Sequence, residues 1–418
     1  MIQKIKDKTL RGIECAKGFF FWLLLGLLAG SAGGVLGTVF SKVLSFVTAL
    51  REEHRSLLLL LPLGGLLSVL IYKLCKVSDV GTNQVLLSLK KDKPVSPLIT
   101  PAIFSGAVIT HLFGGSAGRE GAALQLGGGI SSGISKLLRL DDNTTKILTL
   151  ASMGAVFAAL FGTPLGACIF VLEIINVGSL FSPAVFPCII SAFTASSIAR
   201  FCGIKAERFT LTTIPEASIS MFMKVLLIIL CSAVVSILFC KALHFGEKLM
   251  RKLFKNPYLR IFTGGLIIVF LTLILGTYDY NGGGINIIEE IFHSGHVKYE
   301  AFALKLLFTV ITVSAGYKGG EIVPTLFIGA TLGGTIACLV GLPPAFGAAV
   351  GMSALFCGVT NCTLGTIIIS IELFSAEGLI YFALAAVLSR LLSGADSLYK
   401  GQEFDLIPHR NKKEVTSS

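Results

Sequence analysis

Two glycine-rich breaks in the sequence each place an acidic residue just before an apolar segment. The first break reads Gly114-Gly-Ser-Ala-Gly-Arg-Glu120-Gly, and the second reads Gly319-Gly-Glu321-Ile-Val-Pro324. A glycine turn that leads into a helix leaves free backbone N–H groups at the positive end of the helix dipole. Two such helix ends directed at one point would hold an anion without a full countercharge. Binding of that strength is weak enough to permit release, which conduction requires.

Glu120, in the first break, could serve as both a gate and a proton carrier. When ionised, its carboxylate can occupy the anion site that its own helix offers. When protonated, it can withdraw and admit the substrate. The alternative is a structural carboxylate that pairs with Arg119 or caps the helix. We favour the transport role, because ionisable residues inside a membrane usually mark functional sites.

Four other polar side chains border the apolar segments. Glu321 is equally compatible with a transport role and with a cap on its own helix. Glu173 and Glu372 stand at the ends of apolar segments, and we interpret them as structural or interfacial carboxylates. Tyr399 follows the last apolar segment, where its hydroxyl could contact an anion or belong to an interfacial aromatic belt.

The composition of the chain indicates that these residues are positioned by the helices of a membrane protein. Of the 418 residues, 53% are hydrophobic and 14% are charged, whereas soluble domains contain about 25% charged residues. This composition disfavours a soluble enzyme and a disordered scaffold. The net charge of +11 forms no basic stripe, so no nucleic-acid partner is predicted. Candidate membrane segments are residues 19–50, 56–75, 97–117, 147–172, 174–199, 217–240, 261–276, 301–315, 322–371 and 378–392.

Glycine and proline interrupt the longest apolar segments, most clearly at Gly341-Leu-Pro-Pro344. Such breaks are tolerated only inside protein or beside water, so we expect discontinuous helices, some of them too short to span. Both ends of the chain are basic, which predicts cytoplasmic termini and an even number of crossings. No cleavage site follows the first basic residues, so that segment is expected to stay attached. The basic residues are Lys4, Lys6, Lys8, Arg11, Lys17, Arg410, Lys412 and Lys413.

The chain contains an internal repeat. At an offset of 199 residues, seven identities fall between Met153 and Glu173, and at an offset of 201 Glu120 aligns with Glu321 and Gly128 with Gly329. Two related halves with matching breaks indicate a transporter whose site lies where the repeats meet. The predicted organisation is a cytoplasmic segment at 1–18, one transport domain at 19–399 with repeats at about 19–205 and 217–399, and a cytoplasmic tail at 400–418.

These motifs resemble those of the CLC family of chloride channels and anion/proton antiporters. The pieces that match are Gly-Arg-Glu-Gly at 118–121, Gly-Gly-Gly-Ile-Asn at 282–286, Gly-Gly-Glu-Ile-Val-Pro at 319–324 and the late Tyr399. The resemblance implies an all-α polytopic membrane protein with the CLC-type fold. That fold has two inverted-topology repeats with discontinuous and re-entrant helices, here with no C-terminal regulatory domain. A homodimer in the lipid bilayer, with one pathway per subunit, is also implied.

The resemblance further implies which residues form the pathway. It makes Glu120 the residue for gating and proton coupling. The implied anion-binding residues are Gly118, Arg119, Gly121, Thr82, Asn83, Glu321, Ile322, Val323 and Tyr399.

Several positions depart from the chloride-selective pattern. Chloride-selective members read Gly-Ser-Gly-Ile-Pro where this chain reads Gly81-Thr-Asn-Gln-Val85, and they carry proline where Ala122 stands. Ile174 occupies the position of the internal proton-transfer glutamate of chloride antiporters. Together with Glu321, these changes resemble the bacterial fluoride/proton antiporter branch. A protonated Glu321 would supply the strong hydrogen-bond donor that small, strongly hydrated fluoride needs.

We therefore interpret the chain as a transporter of the bacterial inner membrane that exchanges fluoride for protons and so expels fluoride. Chloride or nitrate exchange by the same machinery is one alternative, and a passive anion channel is another. An intramembrane enzyme would need paired aspartates, Ser with His, or HExxH within the apolar segments, and the sequence has none of these. His293 and His296 lack a third ligand, so neither a metal nor another cofactor is predicted.

Overall fold

The computed structural model describes residues 2–77, 81–91, 95–211, 213–216 and 218–404, with the backbone alone at 2–13, 82, 91 and 404. The predicted tail residues Arg410, Lys412 and Lys413 and the side chain of Thr82 lie outside the described residues. The described helices are α1 Ile2–Glu53, α2 Leu61–Leu74, α3 Thr82–Lys91, α4 Ile99–Leu112, α5 Glu120–Leu138, α6 Asp142–Phe161, α7 Pro164–Glu173, α8 Val185–Phe201, α9 Ile219–Leu253, α10 Pro257–Leu275, α11 Ile285–Ser294, α12 Ala301–Ala315, α13 Ile322–Val340, α14 Pro344–Thr360, α15 Thr363–Phe374 and α16 Leu379–Ser393.

The apolar segments form helices of two kinds. Within the described part of the chain, eight helices are long and apolar enough to cross a membrane. The predicted segment 147–172 divides into α6 and α7, and 322–371 divides into α13, α14 and α15. With 10 and 12 residues, α7 and α15 measure about 15 and 18 Å, which is too short for a bilayer core of about 30 Å. The expected discontinuous helices are therefore present. Helix α1 begins at Ile2, so it runs without a break from the predicted cytoplasmic segment at 1–18 into the transport domain.

The sixteen helices form two related halves, α1–α8 and α9–α16, with inverted topology. The packing partners repeat: α5 packs on α6 as α13 packs on α14, and α1 packs on α8 as α9 packs on α16. Helices α5 and α13 each contain 19 residues and each end at a left-handed residue, Arg139 and Gly341. A short break at Gly162 precedes α7, and a corresponding break at Asn361 precedes α15.

Helices α5 and α13 do not match in the way that the alignment of Glu120 with Glu321 predicts. Gly127 packs against the backbone of Met153, since an added Cβ would lie 2.5 Å from its Cα. Gly329 packs against Met352 in the same way, at 2.8 Å. Because α5 and α13 start at positions 202 residues apart, Glu120 corresponds to Ile322, not to Glu321. The offset of 201, which aligns the two glutamates, is therefore wrong for these helices. The small residues Gly127 and Gly329 make the equivalent close contacts, and they are 202 positions apart.

Glu173 and Glu372 join the two halves reciprocally. The Glu173 carboxylate, at the end of α7, accepts hydrogen bonds from the first amides of α15: Thr363 at 2.8 Å, Leu364 at 3.3 Å and Gly365 at 2.9 Å. The Glu372 carboxylate, in α15, accepts from the amides of Leu165 at 3.1 Å and Gly166 at 2.7 Å in α7. Each short helix thus caps the other, and the structural interpretation of both residues is confirmed.

A short parallel strand pair fixes the end of the described chain. Strand β1, Asn176–Val177, follows α7 in the first half and pairs with β2, Glu403–Phe404. The Lys90 ammonium of α3 also lies 2.9 Å from the Glu403 carboxylate. The segment that carries Tyr399 is consequently held against the first half.

Candidate anion pathway

The two glycine-rich breaks meet at the centre of the molecule. The Gly118 amide donates to the Gly320 carbonyl at 2.6 Å, and the Gly320 amide donates to the Gly118 carbonyl at 2.7 Å. An added Cβ at Gly320 would overlap the backbone nitrogen of Gly121. This approach therefore requires glycine, and it places the N-termini of α5 and α13 side by side.

Glu120 is completely buried and reaches the N-terminus of α13. Its Oε2 accepts a hydrogen bond from the Val323 amide at 3.1 Å, and none of the described residues donates to its Oε1. The carboxylate also lies close to the backbone amide of Glu120 itself, at the start of α5. Helical side chains point back towards the N-terminus, and Glu120 is the first residue of α5. Its side chain therefore projects beyond α5 onto the neighbouring helix.

Arg119 does not form the alternative ion pair with Glu120. Its guanidinium pairs with the carboxylate of Glu207, a residue between the two halves, and lies 5.5 Å from the ring centroid of Phe161. The sequence analysis missed Glu207, and only its charge in an otherwise weakly charged chain could have drawn attention to it.

Two cavities flank Glu120. One, of about 120 Å³, is lined by residues that include Asn83, Gln125, Glu321 and Tyr399, and we call it the Tyr399 cavity. The other, of about 630 Å³, is lined by residues that include Arg51, Gly118, Arg119, Glu207 and Val323, and we call it the Arg119 cavity. Glu120 itself lines neither cavity, but its neighbours Gln125 and Glu321 line the first, and Arg119 and Val323 line the second.

The two cavities lie near opposite ends of the membrane-length helix α10. Arg260, near the start of α10, lines the Tyr399 cavity. Tyr278 and Asp279, just beyond the end of α10, line the Arg119 cavity. Because α10 contains 19 residues, its ends are about 28 Å apart.

Tyr399 is buried near Glu120 and does not belong to an interfacial belt. Only 4% of its surface is exposed, and it lies within electrostatic range of both Glu321 and Glu120. The Asn83 side-chain oxygen accepts from the Lys400 amide at 2.9 Å, so Asn83 also positions the Tyr399 segment. Thr82 begins α3 beside Asn83.

Glu321 stands at the N-cap position of α13 without capping it. Its carboxylate accepts no capping hydrogen bond from the helix and instead lines the Tyr399 cavity. Ile322 and Val323, the next two residues, are buried, and only Val323 donates to Glu120. The geometry therefore leaves the Glu321 carboxyl facing the cavity.

Polar residues inside helices, which sequence reasoning did not single out, complete the site. Gln125 lines the Tyr399 cavity and donates to the Gly121 carbonyl at 3.2 Å. Lys305, fully buried in α12, donates to the carbonyls of Tyr280 at 3.2 Å and Gly282 at 2.6 Å. A lone polar residue in an apolar segment was the available signal for both.

Comparisons with known proteins identify the family. The model of the voltage-gated chloride channel family matches residues 64–394. The chain belongs to this family. It is 32% identical to the chloride/fluoride channel protein of Pseudomonas syringae pv. tomato over 91% of this chain and 86% of that relative. The H⁺/Cl⁻ exchange transporter ClcA of Vibrio cholerae is 27% identical over 94% of this chain and 91% of its own length.

A solved structure extends the family likeness to the whole fold. A CLC-type fluoride/proton antiporter matches with a TM-score of 0.89 and 33% identity, covering 93% of this chain and 98% of that one. The CLC-type fold inferred from the sequence motifs is confirmed.

Proposed function

We propose that this member of the voltage-gated chloride channel family exchanges fluoride for protons and thereby expels fluoride. The observation that carries the proposal is the Glu120 carboxylate on the Val323 amide, between two cavities near opposite ends of α10. A carboxylate at a helix N-terminus occupies a position suited to an anion. Protonation removes its negative charge, so the neutral side chain can leave and an anion can take its place. One residue would then link anion movement to proton movement.

Glu321 supports fluoride as the preferred anion. In its protonated form, the carboxyl facing the Tyr399 cavity would offer an O–H donor next to buried Tyr399. Fluoride gains more than chloride from such a donor, because it is the stronger hydrogen-bond acceptor. The solved antiporter and the Pseudomonas relative, whose names mention fluoride, support the same assignment.

Chloride/proton exchange by the same gate is the second candidate function. The Vibrio relative is named as an H⁺/Cl⁻ exchange transporter, and the Glu120–Val323 geometry does not by itself distinguish one halide from another. A passive channel would use the same pathway with an uncoupled gate. Neither candidate involves an enzymatic step.

The orientation follows from the distribution of charge. Basic residues predominate around the Tyr399 cavity, which we assign to the cytoplasmic face by the positive-inside rule. These residues are Arg251, Arg260, Lys318 and Lys400. The end of α1 lines the Arg119 cavity through Arg51, so the start of α1 and the end of the described chain share the cytoplasmic side. We also propose a homodimer in the bacterial inner membrane.

Counterflow in reconstituted vesicles tests the proposal. Vesicles that contain only this protein are loaded with fluoride and diluted into chloride buffer while external pH is recorded. Fluoride efflux accompanied by proton uptake is expected, and an imposed fluoride gradient should drive protons uphill. Equal fluxes of fluoride and chloride would favour the chloride alternative. Anion flux without proton movement would favour the passive channel.

A further inference from the structure

The pair formed by Arg119 and Glu207 stands immediately beside the gate. The two side chains are only 16% and 17% exposed, unlike the exposed ion pairs that contribute little energy. Arg119 is the residue before Glu120, and Glu207 also lies within electrostatic range of Glu120. The pair lines the Arg119 cavity, which is the route to the gate from that face of the membrane.

The position of Glu207 is fixed by backbone contacts. The Glu207 amide donates to the Phe161 carbonyl at 3.0 Å, while the Phe161 ring lies under the Arg119 guanidinium. Ala206 packs directly on Gly162, whose φ of +69° and lack of a Cβ permit that contact. On the other side, the Phe209 amide donates to the Leu373 carbonyl at 2.8 Å. The segment between the halves therefore holds Glu207 at Arg119.

The charges around Glu120 determine the effect of this pair. Arg119 favours the ionised form of Glu120, and Glu207 opposes it. Tyr399 approaches from the segment after α16, and Glu321 stands at the start of α13. Glu289 of α11 acts on Glu207 in turn. Of these groups, Glu207 alone makes an ion pair with the cation next to the gate.

We propose that Glu207 is a positioning residue that sets the pH range of transport, because it neutralises Arg119 beside Glu120. This proposal rests on the proposed function, in which Glu120 is the gate. With Glu207 present, the gate carboxyl can take a proton from the Arg119 cavity against a smaller opposing charge. Without it, the unpaired guanidinium stabilises the ionised carboxylate, and a more acidic solution is needed to open the gate.

Two variants with opposite expected shifts test the role of the pair. The rate of fluoride transport is measured in vesicles against the pH on the side of the Arg119 cavity. Glu207→Gln should move the profile towards acid by about one pH unit. Arg119→Gln should move it towards alkaline pH, because the cation is lost and the Glu207 charge remains. General destabilisation would reduce the rate in both variants without moving the profiles in opposite directions.

Matched controls separate this inference from the proposed function. Glu290→Gln removes a carboxylate whose partner is His296, at 2.9 Å, and should leave the profile unchanged. Glu207→Asp keeps the charge and should retain most of the wild-type profile. If the wild-type protein couples protons to fluoride but Glu207→Gln leaves the pH profile of transport unshifted, the inference about Glu207 would be overturned and the proposed function would stand. Wild-type protein without proton coupling would overturn the proposed function, and the inference with it.

Discussion

The carboxylate of Glu120 differs from an ordinary helix cap because it serves a helix from the other half of the chain. Its partner, the Val323 amide, is 203 residues away in sequence. One carboxylate oxygen has this single donor, and no described residue donates to the other. Leaving a buried polar atom without a partner costs about 1–3 kcal/mol. A side chain held by so few hydrogen bonds can leave its position more easily than a fully bonded one.

Glu120→Gln should abolish proton coupling. The amide keeps the shape of the side chain, but it can neither ionise nor carry a proton. The measurement is proton uptake in vesicles given a fluoride gradient, with Glu377→Gln as a control for loss of an exposed carboxylate. Uphill proton movement in the Glu120→Gln protein would show that the gate has been assigned to the wrong residue.

Glu321→Gln should weaken fluoride transport and proton coupling more than any residual chloride leak. The amide donates a weaker hydrogen bond than a carboxylic acid, and each 1.4 kcal/mol of lost preference lowers selectivity about tenfold. Glu321→Ala should narrow the preference further, because it removes the donor altogether. The test is to measure the transport rates of fluoride and chloride in the same vesicles and to compare the losses. An equal loss for both would leave Glu321 with no role in selectivity.

Ile174→Ala should leave the ratio of protons to anions unchanged. Ile174 is fully buried at the end of α7, and its aliphatic side chain can neither bind nor relay a proton. The protein should become less stable by about 2–5 kcal/mol, as is typical when a buried isoleucine is truncated. Flux ratios and thermal unfolding in detergent measure the two effects separately. A changed ratio would place the proton route next to this residue.

At the scale of the elements, α12 holds the loop that precedes α5 and the loop that precedes α11. Lys305, Thr309 and Thr312 follow one face of this helix, and all three are buried. Lys305 donates to the loop at 280–282, and the Ser116 amide and hydroxyl bond to the two threonines at 3.1 Å each. A helix that contributes no residue to the predicted site therefore holds the loop that leads to Glu120.

The reciprocal caps predict a stability effect at the same scale. Glu173→Ala leaves three amides of α15 without their acceptor and should destabilise the protein by about 1–2 kcal/mol. Glu372→Ala should act similarly on α7, through two amides. Thermal unfolding of both variants is compared with that of Glu377→Ala, which changes an exposed acidic residue. Unfolding temperatures like the wild type in both cap variants would contradict the structural role.

The cap of α6 predicts a pH-dependent effect. The Asp141 carboxylate accepts from the Thr144 hydroxyl at 2.6 Å and its amide at 3.0 Å, and these bonds lower the pKa of Asp141. A lowered pKa stabilises the fold above the unfolded value of about 3.9, and the effect is lost as pH falls through the folded value. Asp141→Ala should therefore lower the unfolding temperature at neutral pH and converge with wild type in stronger acid. A constant difference across that range would argue against the ionised cap.

At the scale of the whole molecule, the two halves are joined through their functional parts. The Gly118–Gly320 pair, the Glu120–Val323 hydrogen bond and the reciprocal caps all connect residues from different halves. Neither half alone contains Glu120 together with the Val323 amide that it accepts from. The anion pathway is consequently a property of the assembled fold.

The sequence by itself determined the membrane class, the internal repeat and the breaks where two helix ends would meet. Hydrophobic composition, glycine spacing and isolated carboxylates are local properties, and Glu120 could be selected from them. Only the tertiary structure decided that Glu120 reaches the end of α13, that Arg119 pairs with Glu207 and that α5 matches α13 at an offset of 202. These contacts depend on how closely glycine faces of distant helices approach, and this distance is set by the packing of the whole fold.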